Sequence, residues 1–219
     1  MLTPGVCTST TRPASPFEGM AIFETDTDRM LIWNGSTWVV PNAPTQNPTG
    51  LDFIRSGSLS GTSVDILGCF TTTYDNYVLT LDGISFSSAA DVYFQWLSGA
   101  SPLSGAGYMW AVQSIAISGA GNNNAASSQT LGYLGISNSA GVNNAKVAFG
   151  RYDIYGPMKT SVDRQPIIGQ ASCFAGDWSI RNVFTQYNGG VAQKDGIRLF
   201  TNSGSITMSG SYAIYGYRK

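Results

Sequence analysis

Few residues in this sequence could carry acid–base chemistry. There is no histidine, and the only glutamates, Glu18 and Glu24, lie near the start of the chain. Glycoside hydrolysis needs two carboxylates about 5–10 Å apart, and beyond residue 50 only aspartates could supply them: Asp52, Asp65, Asp75, Asp82, Asp91, Asp153, Asp163, Asp177 and Asp195. Four of these aspartates adjoin Gly or Asn, as turn residues do. The sequence therefore favours structural aspartates over a catalytic pair, and we predict that the chain is not an enzyme.

Other reactive groups are equally sparse. Cys7, Cys69 and Cys173 are odd in number and far apart, which gives neither a disulfide framework nor a metal motif. We interpret them as free thiols, with Cys69 and Cys173 as small buried side chains. Asp26-x-Asp28 lacks the glycine and glutamate of a calcium loop, and no glycine-rich phosphate loop is present. We predict no catalytic residue, no metal site and no cofactor.

Composition excludes further classes of partner. Charged residues make up 11% of the chain and the net charge is −1, against roughly 25% charged residues in an average soluble protein. Without a run of Lys and Arg we expect no nucleic-acid binding, and without an apolar run of about 18 residues we expect no membrane insertion. The first residues lack the features of a secretory signal. We therefore expect synthesis in a cytoplasm and a soluble chain until it assembles.

The sequence divides at residues 41–50, which contain three prolines and one glycine and predict a semi-rigid spacer. Residues 1–40 predict a small β meander with strands at 19–25, 29–33 and 36–40. Asn34-Gly35 predicts a type I′ hairpin turn between the last two strands. Three such strands are too few to be stable alone. We therefore expect the aromatic residues Phe23, Trp33 and Trp38 to pack on the rest of the chain or on another copy.

Residues 51–219 predict the main domain. Short segments of alternating apolar and polar residues recur along it at the spacing typical of a β-sandwich or barrel, and no long window has helical periodicity. The predicted strands are 53–58, 63–67, 76–86, 92–97, 108–118, 126–137, 145–155, 166–175, 178–187, 196–201 and 211–217. We predict an all-β protein, an antiparallel β-sandwich of jelly-roll type preceded by the meander.

Glycine-rich, uncharged loops are predicted at 99–107, 119–125 and 138–144. They are candidates for a recognition surface, or simply exposed connections. Near them, Tyr108, Trp110 and Tyr187 have side chains that could stack on sugar rings. The alternative is that these three aromatic residues belong to the core or to a subunit interface.

Residues 11–38 read TRPASPFEGMAIFETDTDRMLIWNGSTW. This segment resembles a module that recurs in virion proteins of tailed bacteriophages, with the pattern T-R-P, P-x-E-G, an apolar strand, E-T-D-T, and a strand ending in W/Y-N-G-S-x-W. A weaker resemblance, to the β-sandwich domains of phage structural proteins, is carried by FTTTYDNYVL at 70–79, GIRLF at 196–200 and SYAIYGY at 211–217.

The resemblance implies a structural part of the virion: a short tail or neck fibre, or a capsid decoration protein. Other virion proteins would be its partners, and phage appendages suggest a homotrimer. The alternative function is a carbohydrate-binding module that recognises host surface glycans. The resemblance brings no catalytic residues with it. The chain differs from long fibres in having no coiled-coil or collagen-like shaft.

Overall fold

The computed structural model describes residues 4–41, 50–138, 148–161, 164–174, 177–190 and 192–218. The chain forms two compact units, Met1–Thr49 and Gly50–Lys219. Most of the predicted spacer, residues 42–49, lies outside the described residues. The regular elements of the described chain are all β-strands, so the predicted all-β class is confirmed. No helix in the described ranges is long and apolar enough to cross a membrane.

Four short strands form the sheet of the N-terminal unit: β1 (Gly5–Cys7), β2 (Ala21–Glu24), β3 (Arg29–Trp33) and β4 (Trp38–Val39). Strands β2, β3 and β4 form the predicted antiparallel meander. Strand β1 is an addition to the prediction, and it pairs with β2 in parallel.

The turn from β3 to β4 differs from the predicted type I′ turn. Gly35 has a φ of +93°, but Asn34 does not have the positive φ that such a turn requires. Instead, Oδ1 of Asn34 accepts hydrogen bonds from the backbone N–H groups of Ser36 and Thr37, at 3.0 and 2.9 Å. This side-chain cap holds a four-residue loop, which shortens the last strand from the predicted 36–40 to Trp38–Val39.

The N-terminal unit has a very small core. Ile22 and Leu31 are its buried apolar residues in the described ranges. Beside them Glu24 is also buried, paired with Arg12 and accepting a 2.8 Å hydrogen bond from Thr27. The Arg12 guanidinium lowers the pKa of Glu24. An ion pair therefore supplements a core that is small even for so short a unit.

The second unit contains thirteen strands: β5 (Leu51–Gly61), β6 (Ser63–Ile66), β7 (Asn76–Phe86), β8 (Ala90–Ser98), β9 (Ser101–Pro102), β10 (Tyr108–Ala116), β11 (Gly121–Gln129), β12 (Gly132–Asn138), β13 (Ala148–Tyr155), β14 (Gln165–Phe174), β15 (Trp178–Tyr187), β16 (Gly196–Thr201) and β17 (Met208–Tyr217). They form an eight-stranded sheet, the large sheet, and a five-stranded sheet, the small sheet. All the strand pairs of this unit are antiparallel.

The strand order is that of a jelly roll with additions. The run β5-β17-β7-β13 in the large sheet and the run β6-β16-β8-β12 in the small sheet together make the eight-stranded, double Greek-key arrangement. Strands β14, β15, β10 and β11 extend the large sheet beyond β13, while β9 pairs with β8. The predicted sandwich is confirmed, and the extension creates a wide outer face on the large sheet.

One continuous core lies between the two sheets and includes Trp96, Phe94, Tyr108 and Tyr152, all fully buried. Buried hydroxyls are hydrogen-bonded across it. Tyr152 on the large sheet donates to the backbone oxygen of Leu134 on the small sheet, at 2.6 Å. The Tyr108 hydroxyl donates to the Leu103 carbonyl and accepts from the backbone N–H of Trp96, both at 2.8 Å.

One predicted loop and one predicted strand need correction. Residues 119–125 are predicted as a loop and 126–137 as one strand. The structure instead has the edge strand β11, then a turn, then β12 in the other sheet. Gly, Asn, Ala and Ser have low strand propensity, so β11 owes its conformation to its pairing with β10.

Candidate functional site

A groove of about 770 Å³ lies on the face of the large sheet that points away from the core. Its lining residues come from β10, β11, β13, β14 and β15, four of which belong to the extension of the jelly roll. We call it the outer groove. It is defined by two rows of side chains that cross the strands, one polar and one mainly apolar.

The polar row contains one residue from each of the five strands. These residues are directly opposite one another in the order Arg151, Gln170, Asn182, Gln113 and Asn123. Nε2 of Gln170 donates a 2.9 Å hydrogen bond to Oδ1 of Asn182. Nδ2 of Asn182 donates a longer one, 3.4 Å, to Oε1 of Gln113. The row therefore consists of four side-chain amides and the Arg151 guanidinium, runs perpendicular to the strands, and is called the amide ladder below.

The ladder leaves hydrogen-bonding capacity facing solvent. A primary amide has two N–H donors and an oxygen with two lone pairs. Within the ladder Asn182 uses one donor and one lone pair, so one of each remains. A ligand group that both donates and accepts, such as a hydroxyl, can use both at once.

The second row lies two residues along each strand and runs through Asp153, Ile168, Phe184, Ala111 and Ala125. Ile168 and Phe184 are exposed by 45% and 41%. Because the two alanine side chains are small, the groove has open space beside the Phe184 ring. That ring offers an apolar platform next to the amide ladder.

The β13 end of the groove carries its two charged lining residues, Arg151 and Asp153. The Tyr217 hydroxyl donates a 2.7 Å hydrogen bond to Oδ1 of Asp153. This bond raises the pKa of the Tyr217 phenol above its ordinary value. One positive and one negative group leave the groove with no net charge.

The described aspartates mostly bind other parts of the protein. Asp65 forms a two-pronged ion pair with Arg198, at 2.6 and 2.7 Å, and Asp52 pairs with Arg218. Asp177 accepts the backbone N–H groups of Ser118 and Trp178. These partners lower the pKa of all three carboxyls, whereas a general acid near neutral pH needs a raised one.

A second groove, of about 560 Å³, borders the small sheet. Its lining includes Tyr93, Phe200 and Trp110, with Gln95 and Arg198 beside them. The rings of Tyr93 and Phe200 lie 6.2 Å apart. Burial, with a contribution from nearby Asp91, raises the pKa of Tyr93 to about 12.

The structure corrects two of the three predicted glycan contacts. Tyr108 and Tyr187 are buried, with 0% and 4% exposure, and their rings pack together 4.5 Å apart. The alternative interpretation, that they are core residues, holds for both, because neither ring has a face open to a ligand. Trp110 is half-buried against the core and lines the second groove, so its contact with a glycan stays a prediction.

The predicted assembly residues lie on three strands of the N-terminal sheet, with Phe23 on β2, Trp33 on β3 and Trp38 on β4. Phe23, Trp33 and Trp38 are each partly buried, and the two tryptophan rings meet edge to face at 5.5 Å. Their role between subunits stays a prediction. Of the candidate recognition loops, 139–144 lies outside the described residues, and 99–107 contains the short strand β9.

The residues of the outer groove are absent from the sequence prediction. Gln113, Gln170 and Asn182 lie within predicted strands, at positions that alternate with apolar core residues. That alternation shows that they face outward. The predicted recognition surface lies in and near loops, whereas the outer groove is formed by strands.

Comparison with known proteins adds no family. The sequence matches no protein-family model and no curated protein. Two matching solved structures are β-fructofuranosidase from Schwanniomyces occidentalis complexed with fructosyl-erythritol (9% identity, TM-score 0.24) and a variant complexed with fructosylnystose (7%, 0.22). Both matches cover 87% of this chain, which spans 40% and 36% of those chains. At this level the likeness carries no argument about function.

Proposed function

We propose that this chain is a structural component of a tailed-bacteriophage particle, a tail or neck fibre or a capsid decoration protein. It acts by assembling with other virion proteins and by presenting a binding surface. The observation that carries the proposal is the resemblance of residues 11–38 to a phage virion module. Those residues fall within one compact unit, as expected of a module joined to different domains.

The N-terminal unit is the proposed attachment element. It exposes Val6, Phe17 and Met30 by 72%, 65% and 44%, although only two apolar residues of its described part are buried. Apolar side chains exposed in this way mark interaction surfaces. We propose that they contact neighbouring virion proteins or other copies of this chain, together with Phe23, Trp33 and Trp38.

Catalysis is not part of the proposed role. The carboxylates with the best-defined geometry, those of Asp52, Asp65 and Asp177, are held by arginines or by backbone N–H groups. Incubating the protein with host surface polysaccharide and assaying new reducing ends tests this point. Turnover that is lost on changing a single Asp to Asn would show that the chain is an enzyme.

A second candidate function is recognition of host surface glycans. The outer groove favours it, because an exposed amide ladder beside an exposed phenylalanine suits a ligand rich in hydroxyls. The two functions are compatible, since a virion protein can also bind the host.

The virion role is tested on purified particles of the phage that encodes the chain. We expect mass spectrometry to detect the chain, and gold-labelled antibodies against residues 50–219 to decorate one defined part of the particle. Particles that lack the chain would contradict the proposal. A truncated chain starting at Leu51 should fold but fail to join the particle, and normal incorporation would refute the attachment role of the N-terminal unit.

A further inference from the structure

The amide ladder of the outer groove has a regular spacing. Neighbouring strands lie about 4.8 Å apart, so five strands place five polar side chains along about 19 Å. The row runs perpendicular to the strands, from Arg151 on β13 to Asn123 on β11. A site of this shape fits a linear ligand that repeats its own polar groups along its length.

The chemistry of the groove narrows the ligand class. Arg151 and Asp153 are its charged lining residues, and their opposite charges sum to zero. A polyanion such as a nucleic acid or an acidic polysaccharide would need clustered cations. A peptide added as a strand would need an unpaired sheet edge, whereas this groove lies on a sheet face. Amides that both donate and accept match uncharged hydroxyls.

The apolar row supplies the remaining part of a sugar site. Phe184 exposes its ring beside Asn182, two residues away on the same strand, and lies directly opposite Ile168. An aromatic ring stacks on the apolar face of a sugar ring while neighbouring amides bind its hydroxyls. The small side chains of Ala111 and Ala125 leave space for the sugar ring.

We propose that the outer groove binds a neutral, hydroxyl-rich polysaccharide that lies across β13, β14, β15, β10 and β11. Phe184 stacks on one sugar ring, and Gln113, Gln170 and Asn182 bind hydroxyls along the polysaccharide. The proposal rests on the glycan-recognition candidate above. It adds the place of binding, the direction in which the polysaccharide lies across the strands, and the absence of charge on the polysaccharide.

The test measures binding of the full chain to dextran, mannan, laminarin and galactan as neutral probes, and to hyaluronan and alginate as acidic ones. Affinity electrophoresis provides the screen and calorimetry the affinity. The groove variants are Phe184→Ala and Asn182→Ala. The matched control is Phe53→Ala, because Phe53 is 62% exposed on β5 of the same sheet, outside the residues that line the groove. Gln95→Ala probes the second groove, and circular dichroism confirms that each variant is folded.

We expect at least one neutral polysaccharide to bind, and each groove variant to weaken binding by about tenfold or more. Phe53→Ala and Gln95→Ala should change the affinity less than about twofold. Raising the salt concentration from 50 to 500 mM should have little effect, because a contact between uncharged groups is not screened by salt.

The other outcomes separate this proposal from the candidate function on which it rests. Neutral-glycan binding that survives both groove variants but is lost in Gln95→Ala would refute the outer groove and keep glycan recognition. Groove-dependent binding of hyaluronan or alginate alone would refute the neutral class. Failure to bind any of the six polysaccharides would overturn the proposal and count against glycan recognition, leaving the virion role to its own test.

Discussion

Ile168 on β14 lies directly opposite Phe184 on β15, and both side chains are exposed on the outer face of the large sheet. The preceding residue, Ile167, points to the other side and is fully buried in the core. Two adjacent isoleucines therefore lie on opposite faces of one strand, one in the core and one exposed on the outer face.

This contrast gives the first prediction. Ile167→Ala should lower the free energy of unfolding by about 2–5 kcal/mol, because it leaves a cavity. Ile168→Ala should lower it by less than about 1 kcal/mol, as expected at an exposed position. Urea denaturation measures both. Equal losses would mean that the outer face is covered in the folded protein and is not open to a ligand.

Gly169 shows how tightly β13 and β14 approach beneath the groove. A Cβ atom at this position would lie 2.3 Å from the backbone oxygen of Arg151 and 2.5 Å from Cδ1 of Tyr152. We expect Gly169→Ala to lower the free energy of unfolding by about 1–3 kcal/mol, the typical effect of overpacking. Gly204→Ala is the control, because a Cβ there meets nothing within 4 Å. Similar melting temperatures for the two variants would show that the strands separate easily.

Lys194 predicts a pH dependence of stability. Its side chain is fully buried, with Nζ donating to the Gly190 carbonyl at 3.0 Å and lying 5.5 Å from the centre of the Tyr187 ring. Burial lowers its pKa from 10.5 to about 8. Between these values the unfolded chain binds more protons than the folded one, so stability rises with pH.

We therefore expect the free energy of unfolding to increase between about pH 7.5 and pH 8.5. Lys194→Met should remove this rise, whereas Lys159→Met, at a side chain that is 46% exposed, should leave it in place. The range ends near pH 8.5, because burial also raises the pKa of the Cys69 thiol from 9.0 to about 12 and raises that of the Tyr152 phenol. Above that pH, ionisation of cysteine and tyrosine in the unfolded chain favours unfolding. A rise that persists in Lys194→Met would assign it to another group.

The alternation of side chains allowed most strands of the sandwich to be predicted. It could not reveal β11, because Gly121–Gln129 contains no β-branched residue and becomes a strand only through pairing with β10. Strand propensity is a preference that such tertiary pairing overrides.

The candidate site was not predictable for a related reason. Gln113, Gln170 and Asn182 are visible in the sequence as outward-facing polar residues. Their alignment in one row depends on the strand order β10-β15-β14, in which β10 lies far from the other two in sequence. Tyr108 and Tyr187 were candidates for glycan contacts because they lie near predicted loops. A tyrosine beside a loop can still point into the core, as both of these do.

Oligomerisation is predicted from the N-terminal unit, whose described part exposes large apolar residues around a two-residue apolar core. We expect analytical ultracentrifugation at micromolar concentration to show a trimer of the 23.2 kDa chain. Trp38→Ala should weaken the association, since it removes one ring of the Trp33–Trp38 pair. Phe53→Ala in the sandwich is the control. A wild-type monomer would contradict the prediction.

The central claim is that this chain is a virion component that presents the outer groove of its sandwich for binding. An electron-microscopy map of the intact particle tests it most directly. We predict density for the two sheets of residues 50–218 on the exterior of the tail, neck or capsid, with the face bearing Phe184 and Asn182 open to solvent. A map without this chain would contradict the virion role, and a map with that face buried against another virion protein would contradict the binding surface.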